Sequence, residues 1–356
     1  MWYSKEGLEK IAIQFIDNQS IESIQPLGNG HIHQTYLVDI YGDNAFVLQR
    51  INTQVFRDPN GIVSNMKYIA AHLEQQPSYA MKLLHPLATK DGQYLHVDTQ
   101  NHHWRATPFL DNTTSYSKIE TPEQAAAAAK AFGQFAYALR DFPVEQLAIT
   151  LPGFHDSASR YEYYQHIKPK ASLERLQQAQ SVIQFVEEEA SLFQQVIDLN
   201  LPLRVVHNDT KADNVLLDAV IYSGVCVIDL DTVMPGTILS DFGDMVRTFT
   251  NSHAEDHAPA KDIEARYDVF EALSHAYLKE IHPMLTETEK THLLDGALWI
   301  ILEQVLRFLT DFLANDVYYP IHYPMHNLVR AENQMALWQS IWRQRERWEN
   351  YLKSIT

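Results

Sequence analysis

A single cysteine, Cys226, leaves this 356-residue chain no disulfide within itself and no thiolate set for a zinc site. Positive charge is also scarce: 28 Lys and Arg stand against 45 Asp and Glu, a formal net charge of −17. Nucleic acids and anionic membranes reward a basic face, so neither is an expected partner. No apolar run approaches the roughly 20 residues of a membrane span. The best one, residues 297–313, is interrupted by Glu303, Gln304, Arg307 and Asp311. The start, Met1-Trp2-Tyr3-Ser4-Lys5-Glu6, lacks the basic and apolar stretches of a signal peptide, so the expected address is the cytoplasm. The 17 histidines are scattered and include no His-Glu-x-x-His pattern, so a histidine metal site is not expected.

What is present is an ordinary globular composition, 46% hydrophobic and 21% charged, with length for one large or two modest domains. Helical spacing over residues 8–16 is followed by short strand patterns at 21–27, 34–40 and 45–51, broken by Gly and Asn turns. Residues 63–73 read as helix, and 94–97 and 104–107 as two more strands. The character changes near Pro108, dividing the chain into 1–108 and 109–356. Helices dominate the second part. Thr121 with Gln124, and Thr286 with Glu289, form capping boxes, the second opening a helix to about Leu313. Residues 171–199 and 328–352 are long helical patterns, the latter with Trp338, Trp342 and Trp348 at near-helical spacing as packing residues. The architecture expected is α+β, with a small sheet-containing lobe and a large, mainly helical one.

Two short apolar runs inside the helical part, 203–206 and 225–228, each end in a polar cluster. A buried strand is a rigid support for chemistry at its end. The first run leads into His207-Asn208-Asp209-Thr210-Lys211-Ala212-Asp213-Asn214, which fits the H-x-D-x-x-x-x-N loop of kinases. In that pattern the Asp receives the proton of the attacking hydroxyl and the Asn holds a metal ion. The second run ends in Asp229-Leu230-Asp231, fifteen residues past Asn214, and Asp229 supplies the carboxylate for Mg²⁺ between ATP phosphates. Either motif alone could be a strand end with a solvated Asp; their order and spacing carry the reading. Asp241-Phe242-Gly243 spells the kinase metal triplet but lies 27 residues past Asn214, so Asp241 is expected to support the loop. Asp231 is open between a metal contact and an orienting role.

Upstream, Gly28-Asn29-Gly30-His31 sits between strand patterns, where glycine lets backbone N–H groups approach phosphate. Gly-Asn-Gly is equally an ordinary hairpin turn. With the downstream motifs it reads as the nucleotide-covering loop.

The whole chain resembles the phosphotransferase superfamily of aminoglycoside and choline kinases, and more closely the N-acetylhexosamine 1-kinases. The likeness runs through Gly28-Asn29-Gly30-His31-Ile32, Leu48-Gln49-Arg50-Ile51-Asn52, the 207–211 loop, Arg307-Phe308-Leu309-Thr310-Asp311, Asp316-Val317-Tyr318-Tyr319 and His326-Asn327-Leu328-Val329-Arg330. The resemblance implies a protein-kinase-like fold with 1–108 as nucleotide-binding lobe and 109–356 as catalytic and acceptor-binding lobe. It also implies ATP and Mg²⁺, with transfer to the anomeric hydroxyl of a 2-acetamido sugar. Asp209 is then the base, and Asn214 and Asp229 hold the metal. Gly28, Asn29, Gly30 and Gln49 face the nucleotide, while His31, Thr210, Arg307 and Tyr318 contact the sugar.

One departure stands out. Protein kinases carry a phosphate-holding lysine on the third strand, whereas here Gln49 occupies that register and Arg50 points to the other face. Either Gln49 bonds phosphate without charge or another basic residue substitutes. The rival readings are a kinase of a cationic amine such as an aminoglycoside or choline, and a non-catalytic nucleotide binder. At the acceptor end, Arg307, Asp311 and Asn315 at four-residue spacing also fit an ordinary polar helix face with an i, i+4 ion pair.

Overall fold

The structure is a computed structural model that describes residues 3–17, 19–28, 32–42 and 45–356. Its first lobe is an antiparallel five-stranded sheet in the order β1-β2-β3-β5-β4: β1 Ile21–Pro26, β2 Gln34–Ile40, β3 Phe46–Arg50, β4 His96–Val97 and β5 His103–Pro108. Alternation along β2 and β3 turns Tyr36, Val38, Phe46 and Leu48 to one face, where Leu8, Ile11 and Phe15 complete an apolar cluster with Trp104. Leu8 and Ile11 come from α1 (Lys5–Ala12), whose N-cap Ser4 accepts from the Gly7 N–H.

Between β3 and β4 runs α2 (Pro59–Leu73), capped by Asp58 with Pro59 in its first turn. By packing it serves the second lobe, because Met66, Ile69 and Leu73 enter the large core. Its buried Asn65 donates to the carbonyls of Ala148 and Val233, and its Oδ1 accepts the Ala148 N–H.

The second lobe holds α3 (Pro122–Ala138), α4 (Ser157–Ile167), α5 (Leu173–Gln178), α6 (Gln180–Glu189) and α7 (Ser191–Asp198). After the strands described below come α8 (Ile238–Thr250), α9 (Tyr267–Ile281), α10 (Glu287–Thr291), α11 (Leu293–Leu313), α12 (His326–Arg343) and α13 (Arg345–Ile355). Both capping boxes form. The long patterns, however, are broken. The 171–199 stretch bends at Ala179 and Ala190, which lets each piece turn its own apolar residues inward: Val182, Ile183 and Val186, then Leu192, Phe193 and Val196. The 286–313 helix is interrupted at His292, and the last segment at Gln344. Trp338 and Trp348 are buried, whereas Trp342 is half-exposed and stacks on Trp338. Among the described residues no helix is long and apolar enough to cross a membrane.

Two small strand groups interrupt the helices and present the polar loops. β7 (Arg204–Val206) pairs with β10 (Met234–Gly236), and β6 (Thr113–Thr114), β8 (Val215–Asp218) and β9 (Gly224–Val227) form a three-stranded sheet. Arg204 anchors the first by a buried ion pair to Glu289, 2.8 Å.

Candidate active site

The loop after β7 is held from three sides. The His207 and Asn208 N–H groups donate to the two oxygens of Asp241, 2.8 and 2.7 Å, at the first turn of α8. Burial pushes the Asp241 carboxyl up to about 6, against the pull of His207 and these two N–H donors. Asn208 is left-handed (φ 63°), a conformation Asn tolerates, and its amide donates to the Thr232 carbonyl at 2.9 Å. The His207 ring bridges onward: Nδ1 accepts the Asp209 N–H at 3.3 Å, and Nε2 donates to the Ile228 carbonyl at 3.0 Å. One imidazole thus ties the loop to the chain just before Asp229.

Asp209 emerges from this frame a quarter exposed. Its Oδ2 accepts from Asn214 Nδ2 at 2.8 Å and lies 2.9 Å from Lys211 Nζ. Burial alone would raise its pKa; the Lys211 ammonium, His207 and the Asn214 amide outweigh that and hold it below the usual range. Asn214 spends its Nδ2 on Asp209, which leaves Oδ1 as its ligand atom.

Asp229 also sits in the left-handed region (φ 57°, ψ 54°), half-buried and without a hydrogen-bond donor among the described residues. Burial raises its pKa, and the Asp231 and Asp209 carboxylates add to the effect. This donor set fits Mg²⁺: two oxygen ligands, Asn214 Oδ1 and Asp229, with excess negative charge for a cation to relieve. Mg²⁺ characteristically takes one or two protein ligands and fills its remaining positions with phosphate and water.

Asp231, two residues on, is fully enclosed. Arg105 on β5 grips both of its oxygens, His33 Nε2 lies 2.8 Å from Oδ2, and Thr150 donates to its carbonyl. Arg105 Nε in turn donates to Gln49 Oε1 at 3.0 Å, and Gln49 Nε2 to Thr35 Oγ1 at 3.1 Å. Gln49 and Arg105 are direct partners across β3 and β5. The sheet lobe is therefore joined to the Asp229–Asp231 loop through buried Arg105, with His33 beside it. Burial would raise the Asp231 carboxyl, but Arg105 and His33 hold it near 2. Both Asp231 oxygens are thus spent on Arg105 and His33, and Arg50, on the opposite face, lies over the Tyr3 ring at 5.9 Å.

Across the cleft, α11 supplies Glu303 and Arg307. Buried Glu303 accepts from Ser157 Oγ at 2.5 Å, and lies 3.1 Å from His155 Nδ1 and 3.6 Å from Arg160 Nε. Arg307 donates to Gln304 Oε1 at 3.2 Å and lies 5.8 and 5.6 Å from the rings of Phe154 and Tyr319. It has no carboxylate within ion-pair distance among the described residues.

The i, i+4 pair between Arg307 and Asp311 does not form. Buried Asp311 instead accepts the N–H groups of Tyr318 and Tyr319, 2.8 and 2.9 Å, and the Asn327 amide. The 314–325 loop is fixed by these bonds and by Arg175 to Asp316. Tyr318 stands 67% exposed at its rim.

The other candidates divide. Asp209, Asn214 and Asp229 converge. Thr210 is fully buried, with its hydroxyl donating to the Asp241 carbonyl at 2.7 Å, so it serves the loop and not the cleft surface. Gln49 is spent between Thr35 and Arg105. Gly28 takes φ 72° at a hairpin closed by Leu27 N–H to the Thr35 carbonyl. Asn29, Gly30 and His31 lie outside the described residues. Sequence reasoning missed Arg105 and His33, each over a hundred residues from Asp231. It also missed the Asp244–Arg247 pair, which i, i+3 spacing on a helix could have revealed.

With this geometry in view, comparison with known proteins is direct. The model of the phosphotransferase enzyme family matches residues 23–278. Among solved structures the chain is similar to an amicoumacin kinase (TM-score 0.64, 12% identity, covering 94% of this chain and 93% of that one). It is similar also to a microcompartment-associated aminopropanol kinase (0.62, 16%, 95% and 97%). A third is an aminoglycoside phosphotransferase from Alicyclobacillus acidocaldarius (0.60, 14%, 96% and 93%). At these identities the likeness is one of fold: a small sheet lobe on a mainly helical one.

Proposed function

This chain belongs to the phosphotransferase enzyme family, and from that premise we propose that it is an ATP-dependent small-molecule kinase. The acceptor is the anomeric hydroxyl of a 2-acetamido sugar such as N-acetylglucosamine or N-acetylgalactosamine, and the product is the sugar 1-phosphate. A divalent ion and ATP are supported by the donor set above and by the amicoumacin kinase, which was solved with AMP-PNP and Ca²⁺. Mg²⁺ held by Asn214 and Asp229 would neutralise charge on the terminal phosphates.

The residues of the chain do the rest. Asp209 orients the acceptor hydroxyl and takes its proton as the oxygen–phosphorus bond forms. The bond between the terminal phosphorus and the bridging oxygen breaks, and ADP leaves with that electron pair. Position and charge stabilisation dominate such transfers, so a carboxylate of low pKa suffices as base. Lys211, beside Asp209, brings to the transferred phosphoryl the positive charge that Gln49 cannot. Arg105, buried in its pair with Asp231, keeps the loop of Asp229 in register with the sheet lobe.

The observation that carries the choice of acceptor is Arg307. It is a guanidinium close to two aromatic rings, with no carboxylate within ion-pair distance among the described residues, and it opposes an ammonium while donating well to an acetamido carbonyl. The second reading, an amine acceptor, draws on the aminopropanol and choline kinases among the structural neighbours and on the acidic net charge.

Mg²⁺-dependent ADP release tests the two against N-acetylglucosamine, N-acetylgalactosamine, glucosamine, galactose, choline, homoserine and kanamycin. Stimulation by the acetamido sugars alone, with a 1-phosphate seen by ³¹P NMR, is expected. A response only to choline or kanamycin overturns the acceptor. Asp209→Asn should lower kcat by about 10²–10⁴-fold while ATP still binds, and an active variant refutes the base.

A further inference from the structure

Asp241, Asp244 and Arg247 follow one another at three-residue intervals along one side of α8. The first grips the catalytic loop, and the last is close enough to feel both the Asp209 carboxylate and the Arg307 guanidinium. Asp244 lies between them on the helix, buried, paired with Arg247 and near enough to Asp241 for the two carboxyls to repel. Its Oδ1 is occupied by Arg247, at 2.9 Å from Nε and from Nη2. Its Oδ2 is buried and has no donor among the described residues, and the residue as a whole is only 5% exposed. Arg247 cannot turn to serve it, because Glu255 holds the other end of the guanidinium at 2.8 Å.

A buried carboxylate oxygen without a donor is costly. Here it is held rigid, one helical turn from the residue that sets the catalytic loop. We propose that Asp244 is a specificity-determining residue, whose Oδ2 accepts a hydroxyl of the acceptor other than the one phosphorylated. The inference rests on the sugar reading of the site and deepens it. With its charge matched by Arg247, Asp244 is a receiver of neutral O–H groups and not a counter-ion for an ammonium. With Arg307 as donor opposite, the site then selects neutral rings carrying both hydroxyl and carbonyl groups.

The test compares N-acetylglucosamine with its 3-deoxy, 4-deoxy and 6-deoxy forms, in the wild-type protein and in Asp244→Asn. The amide keeps the shape and its bond to Arg247 but puts a donor in place of the free oxygen. Wild type should lose about tenfold or more in kcat/KM for one deoxy sugar. Asp244→Asn should lose as much on the parent sugar, chiefly through KM for the sugar with KM for ATP unchanged, and should no longer distinguish that deoxy form. The wild-type comparison stands even if the variant does not fold. Three deoxy sugars used within twofold of the parent would overturn the proposal, as would a variant that keeps the wild-type discrimination. Both results leave the sugar reading intact. A wild type that turns over no sugar removes that reading and this inference with it.

Discussion

Arg105→Met is the substitution that most directly probes how the two lobes are joined. Arg105 is 2% exposed and Asp231 is fully buried, and the guanidinium meets both carboxylate oxygens. Removing the arginine leaves Asp231 charged, buried and served only by His33. Breaking such a pair from one side costs about 3–5 kcal/mol, a large part of the roughly 5–15 kcal/mol that holds a typical domain together. Arg105→Met with Asp231→Leu should recover most of that loss, since no buried charge is then left unpaired. Arg105→Lys should fall between, keeping the charge but losing the fork that also reaches Gln49. Equilibrium urea unfolding, followed by tryptophan fluorescence and far-ultraviolet circular dichroism together, measures all four proteins and checks for a single transition. An Arg105→Met protein within about 1 kcal/mol of wild type would refute the account. So would a double variant no more stable than Arg105→Met alone.

Two further substitutions test the acceptor side and the helix crossing. Burial would raise the Glu303 carboxyl, but His155, Arg160 and Arg307 hold it at about 2 against 4.5 unfolded. A depressed carboxylate stabilises fully above its unfolded pKa and loses that contribution as pH falls through the folded one, here between 4.5 and 2. The shift corresponds to about 3 kcal/mol, so Glu303→Gln should be less stable at pH 7 and flatter through that acid window; equal slopes in urea midpoints would contradict this. At Gly243, a Cβ would stand 2.6 Å from the Gly296 carbonyl oxygen and 2.8 Å from Ile300 Cγ1. Gly243→Ala should therefore cost about 1–3 kcal/mol and lower Tm, whereas an alanine freely accommodated in a helix would raise it.

What the sequence disclosed follows its range of interaction. The sheet strands and both capping boxes depend on residues two to four apart, and periodicity shows them. The helix pattern over 171–199 does not disclose its breaks at Ala179 and Ala190, because alanine is a good helix former. What bends the chain there is the core around Val182, Phe185 and Phe193. In the site, the spacing of Asp209, Asn214 and Asp229 is local enough to read. The partner of Asp231 is not: Arg105 belongs to a β5 pattern that would read the same with a solvated arginine. Thr210 misled for the converse reason. Its neighbour Asp209 is directed outward, but the hydroxyl one residue on is directed at Asp241, a reversal that only the turn geometry reveals.

The role of α8 follows from these contacts. Its first turn holds the loop bearing Asp209, through Asp241, and its next turns carry Asp244 and Arg247 toward the proposed acceptor side. The glycine-tight crossing of α8 with α11 at Gly243 and Gly296 sets how far those residues stand from Glu303 and Arg307. Phosphoryl transfer is governed by placement, and on this helix the proposed base and the proposed acceptor wall are placed together. A shift of α8 large enough to spoil the proposed grip on the acceptor would therefore also disturb Asp209. Substitutions at the crossing should accordingly lower kcat and raise KM for the acceptor together, while Asp244→Asn, which leaves the helix where it is, should act on KM.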